Sequence, residues 1–109
     1  MRIGTILACA VLLALDLAGQ GYKPASGYVP DSKTAVKIAE AVLIPVCGEK
    51  QIESERPLTA TLKNRVWTVT GTLRCPDGKG GTTSSCDGGV AEVQISKNDA
   101  RISYMSHGK

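Results

Sequence analysis

Residues 58–73 read LTATLKNRVWTVTGTL. Leu58, Ala60 and Leu62 alternate with Thr59, Thr61 and Lys63. After Asn64-Arg65 the alternation resumes, with Trp67, Val69, Gly71 and Leu73 against Thr68, Thr70 and Thr72. A period of two sends successive side chains to opposite faces of a strand, so each run has one apolar face and one threonine-rich, wet face. Two such runs joined by two polar residues form a β-hairpin.

The flanking segments extend this layer. Ala91, Val93 and Ile95 alternate with Glu92 and Gln94, Lys97-Asn98-Asp99 reads as a turn, and a last strand runs from Arg101 to about Ser106 with Ile102 and Tyr104 on the core face. On the N-terminal side, Asp31 to Val46 reads as an amphipathic helix. Ala35, Ile38, Ala39, Val42 and Leu43 recur at the 3.6-residue period, Asp31 is placed to cap the start, and Pro45 and Gly48 mark the end. Between helix and hairpin, the charged run EKQIESERP reads as a connector or a short extended piece. The expected fold is α+β: one N-terminal amphipathic helix packed on a four-stranded antiparallel meander, a reduced cone-like or cystatin-like layer.

The 109-residue chain opens with Met1-Arg2, followed by the largely apolar run Ile3–Leu15, which Asp16 ends. That run is too short to span a bilayer and fits an export signal. The expected organisation is a signal peptide at 1–20, a Gly/Pro/Ser-rich linker at 21–30 and a single domain at 31–109. Export places the mature chain in a periplasm, with no membrane attachment once the signal is removed. Cys9 lies inside the apolar run rather than after it, which argues against a lipid anchor.

In an oxidising compartment the remaining cysteines take on meaning. Cys75 and Cys86 bracket the polar insert CPDGKGGTTSSC, and a disulfide between them would close it. Cys47 is then left over. Closing a loop of about a dozen residues stabilises by roughly 3 kcal/mol in the chain-entropy account.

The composition excludes several function classes. Net charge is +3, with basic residues spread along the chain and no aromatic-interleaved basic stripe, so no nucleic-acid partner is expected. No CxxC spacing occurs and His107 is the single histidine, so no metal site and no cofactor are expected. Glu49, Glu53 and Glu55 read as a solvated acidic run, His107 as a solvated terminal histidine, and Gly78, Gly80 and Gly81 as turn glycines. No catalytic residues are assigned.

The segments YVPDSKTAVKIAEAVL, CGEKQI, RPLTATL, VWTVTGTL, GGVAEVQIS and the terminal SHGK occur in that order over nearly all of residues 27–109. Together they resemble the bacterial nuclear-transport-factor-two fold immunity proteins of the YbbC/YhhH type. Cys47 stands where that pattern often has tyrosine, and the connection after TGTL is long and polar where the pattern is short. The resemblance implies a non-enzymatic role: binding and neutralising a cognate protein toxin (the effector) in interbacterial competition, such as that carried by type VI secretion. An exported immunity protein implies a toxin acting in the periplasm, with a peptidoglycan hydrolase, amidase or muramidase, as the leading expectation. In this reading Asp77, Lys79, Thr82, Thr83, Ser84 and Ser85 of the insert form the toxin contact. The alternatives are a small periplasmic protease inhibitor and a small-ligand-binding domain.

Overall fold

The computed structural model describes residues 21–83 and 88–108. The expected signal peptide lies outside them, as do Ser84, Ser85 and Cys86. Among the described residues two helices, α1 (Ser32–Cys47) and α2 (Glu49–Ser54), precede six strands: β1 (Thr59–Lys63), β2 (Val66–Thr70), β3 (Cys75–Pro76), β4 (Thr82–Thr83), β5 (Ala91–Ser96) and β6 (Ile102–His107). The main sheet runs β1-β2-β5-β6 with every pair antiparallel, and β3-β4 forms a separate small hairpin. The helix-plus-meander architecture expected from the sequence is present.

Helix α1 begins where Asp31, in an extended conformation, accepts the Thr34 amide on its side chain at 2.8 Å. This satisfies one of the amide donors that a helix start leaves open. Ala35, Ala39 and Leu43 are fully buried, and Val36, Ile38, Val42 and Ile44 pack at the margin of the core. The alanines bring α1 close to the sheet, where Trp67, Val69, Ala91, Val93 and Ile95 meet it. Pro45 does not stop the helix, which continues to Cys47 and ends at Gly48 (φ 92°). A proline this near the C-terminus disturbs only the final turn.

Three expectations are corrected. The run after Gly48 is a short helix, not a connector or extended piece: α2 places Ile52 in the core and leaves Glu49 and Lys50 exposed. Five of its six residues are polar, so the buried side had one apolar marker to be read from. The second correction concerns β6. Ile102 pairs with Ile95, but Tyr104 pairs with Gln94 and Met105 with Val93, so a β-bulge places Ser103 as an extra residue. Beyond the bulge the faces exchange. Met105 and His107 take the core side, and Tyr104 is 48% exposed on the wet side. The third concerns Leu73, which lies beyond the end of β2 and is half-buried.

The turns follow their sequence cues. Asn64 and Arg65 both adopt positive φ (51° and 61°), the conformation of a two-residue hairpin turn matched to strand twist. The stretch 21–30 has no helix or strand, yet its end is packed into the domain. Val29 is fully buried, its amide donates to Lys97 O at 3.1 Å, and its carbonyl accepts the Trp67 Nε1 proton at 2.8 Å. Gly27 fits there because a Cβ would stand 2.3 Å from Lys97 O.

Trp67→Phe keeps the ring in the core but leaves the Val29 carbonyl without its donor. Denaturant unfolding is expected to show a loss of about 1–3 kcal/mol. Proteolytic cleavage within residues 21–28 should also become faster than in the parent chain.

Candidate functional site

The polar insert leaves the sheet after β2 and returns at β5, and both of its roots are held by one residue. Glu55 follows α2 and is 4% exposed. Its backbone carbonyl accepts the Thr72 amide at 2.7 Å, on the outgoing root. Its Oε1 accepts the Ala91 amide at 2.7 Å, on the returning root. Its Oε2 accepts from Gln51 Nε2 at 2.9 Å and from His107 Nε2 at 2.7 Å. Gly71 donates to Ala91 O at 3.0 Å and lies against the carboxylate, where a Cβ would come within 2.3 Å of Oε1. Thr72 Oγ1 adds a bond to Pro57 O at 2.6 Å.

Glu55 and His107 are therefore not the solvated residues expected from the sequence. The acidic run looked uniformly wet, but Ile52 and Leu58, three residues to either side of Glu55, are both buried. They carry Glu55 inward between them. His107 is brought to the same place by the β6 bulge, which no sequence period announces.

The ring nitrogens of His107 fix its charge state. Nε2 faces a carboxylate oxygen, and Nδ1 faces Gly108 O at 2.7 Å. Both partners only accept, so both nitrogens donate and the ring is an imidazolium. The Glu55 bond, with smaller help from the Gly108 carbonyl, raises the histidine above its ordinary value of 6.5 against the opposing effect of burial. Burial pushes the Glu55 carboxyl up, but the bonds from Gln51, Ala91 and His107 outweigh it and hold the group below 4.5.

Beside this pair lies an open hollow of about 360 Å³ lined by Val46, Cys47, Gln51 and His107. Cys47 is a free, half-buried thiol. Burial, and then the nearby Glu55 charge, raise its pKa, which disfavours the nucleophilic thiolate. Gln51 Nε2 and both His107 nitrogens are already bonded. The arrangement fastens backbone segments together.

The insert residues named from the sequence are placed as follows. Asp77, Lys79 and Thr82 are exposed on the β3–β4 hairpin, and Thr83 is half-buried and bonded. Asp77 Oδ1 accepts the amides of Lys79 at 2.7 Å and Gly81 at 3.0 Å, which lowers its pKa, so this side chain shapes the turn. Gly78 and Gly80 supply the positive φ values that the turn requires (78° and 84°). Cys75 is half-buried and bonded. Ser84, Ser85 and Cys86 lie outside the described residues. No cluster of three metal-ligating side chains occurs among the described residues, and no helix there is long and apolar enough to cross a membrane.

The NTF2 fold immunity protein family matches residues 34–109. The match includes α1 from Thr34 onward, the hairpin, the insert and the Glu55–His107 pair, and the chain belongs to this family. It is also 31% identical over 81 residues to the uncharacterized protein YhhH of Escherichia coli (strain K12), covering 74% of this chain and 58% of that protein. The chain thus spans little more than half the length of that relative. No solved structure matches.

Gly71→Ala forces a methyl group into the Glu55 carboxylate. Urea titration should show destabilisation of about 1–3 kcal/mol.

The ion pair also sets a pH dependence. The lowered Glu55 pKa contributes stability that is complete above its ordinary 4.5 and is lost as pH falls through the depressed value. The raised His107 pKa contributes stability that is complete below 6.5 and is lost as pH rises through the elevated value. Both contributions are complete between pH 4.5 and 6.5. Unfolding midpoints should peak in that window, and His107→Ala should remove the fall on the alkaline side.

Proposed function

We propose that this chain is a periplasmic immunity protein that neutralises a cognate antibacterial toxin delivered between competing cells. The toxin in this reading is a peptidoglycan hydrolase, an amidase or muramidase, and the insert enters its active-site cleft. The observation that carries the reading is the mounting of the insert. Glu55 fixes both roots, Asp77 orders the turn, and Lys79 and Thr82 project into solvent. A loop ordered before binding loses little conformational entropy when it enters a cleft. Family membership supplies the class of partner.

Closure of the insert by a Cys75–Cys86 disulfide belongs to the same proposal. The absence of a titratable thiol on Cys75 supports it. An oxidising periplasm, reached through the apolar leader at residues 1–20, is the compartment in which such a closure persists.

The test is growth rescue. The open reading frame beside this gene is expressed in a host periplasm with and without this chain. Killing that this chain prevents is the expected result, and killing that persists would overturn the immunity reading. Deleting residues 77–85 is then expected to weaken binding of the purified toxin about thirty-fold or more, the loss of at least one dominant contact. A folded deletion variant that binds as tightly as the parent would remove the insert from the interface.

A further inference from the structure

The end of the sheet opposite the insert carries a second organised surface. The β1–β2 and β5–β6 turns lie side by side there, joined by the Lys97 amide donating to Arg65 O at 2.9 Å. They bring together Lys63, Arg65, Lys97 and Arg101. The turn segments contain one acid, Asp99, and Asp31 follows the Tyr28–Val29 stretch that bonds to Asn98 and Lys97. Asp99 is occupied by the Arg101 amide at 3.0 Å, with a weaker pull from the Arg101 charge, and Asp31 caps α1.

The two central cations are held by neutral groups. Arg65 donates from Nε to Asn98 Oδ1 at 2.9 Å and from a terminal nitrogen to the same oxygen. Lys97 Nζ donates to Ser26 O. Among the described residues neither joins an ion pair; the pairs there are Arg56–Glu40 and His107–Glu55. Orientation has thus been fixed without neutralising charge. Arg65 keeps further N–H donors in a planar fork suited to a carboxylate.

Aromatic rings complete the patch. Tyr28 donates its amide to Asn98 O at 3.1 Å, on the residue that holds Arg65, and its hydroxyl bonds Tyr22 O at 2.7 Å. Tyr28 is 43% exposed and Tyr22 78%. Exposed tyrosine beside pre-ordered arginine is the composition of protein–protein hot spots. A diffuse cationic surface for lipid headgroups would need neither fixed orientation nor rings.

We propose that this turn end, built on Arg65, Lys97 and Tyr28, is a docking surface for an acidic face of the toxin, distinct from the insert. The proposal rests on the immunity reading. The insert holds the cleft, and the turn end captures and orients the partner by charge.

Association kinetics with the purified toxin test it, at about 50 and 300 mM salt. Arg65→Glu/Lys97→Glu is expected to slow association about tenfold at low salt, with a much smaller difference at high salt. Lys63→Glu/Arg101→Glu, which leaves the Arg65–Asn98 and Lys97–Ser26 bonds in place, should slow association in the same direction. Tyr28→Ala should instead speed dissociation. Wild type that binds the toxin with both charge variants associating at the parental rate would overturn this proposal and leave immunity standing. Wild type that fails to bind the toxin at all would overturn both. Charge-dependent binding to phosphatidylglycerol vesicles, with toxin association unchanged, would reassign the surface to lipid.

Discussion

A buried carboxylate that must be fully bonded is the constraint on which this domain's arrangement depends. Glu55 lies at the junction of α2, the insert roots and β6, and its desolvation is tolerable only because Gln51, Ala91 and His107 all donate to it. Each donor comes from a different part of the chain. Removing any one leaves a charged oxygen undersatisfied inside the fold, so α2, β5 and β6 are held as a set. Glycine at position 71 follows from the same requirement, since the carboxylate occupies the space a side chain would take.

The β6 bulge is what completes that set. Were Ser103 paired as an ordinary strand residue rather than bulged, a regular strand continuing from Ile102 would turn Tyr104 and Ser106 inward and send His107 to solvent. With it, Met105 fills the core and the imidazolium reaches Glu55. Gly108 then follows the strand past its end, with its amide on Val90 O at 3.2 Å, against Gly89. Bulging Ser103 out of the ladder is therefore what lets His107 serve as an internal counter-ion.

The elements with strong periodicity were legible before any coordinates. Helix α1, the hairpin around Asn64-Arg65, and the alternation of Ala91, Val93 and Ile95 are all where their patterns put them. What escaped depends on three-dimensional context. Helix α2 has one buried apolar residue, too few to set a period, although its residues are mostly good helix formers. A bulge changes register without changing composition, so Tyr104 read onto the wrong face and His107 read as solvated. Glu55 sat in a charged run, and only the Ile52 and Leu58 positions around it signalled burial. The insert's chemistry was visible as residues, but its anchoring was not, because the anchor comes from outside the insert.

The separation of the β3–β4 hairpin from the main sheet has a consequence for how such proteins diversify. The bonds that hold the insert terminate at Thr72 and Ala91, and the hairpin has its own two-stranded pairing. Lengthening or rewriting the segment between them changes loop-closure entropy only slowly, by about 0.6 kcal/mol per doubling of length. The segment can therefore drift quickly in sequence while the domain beneath it stays the same. The insert is in that sense a replaceable cassette, and the same junctions mark where a foreign loop could be grafted.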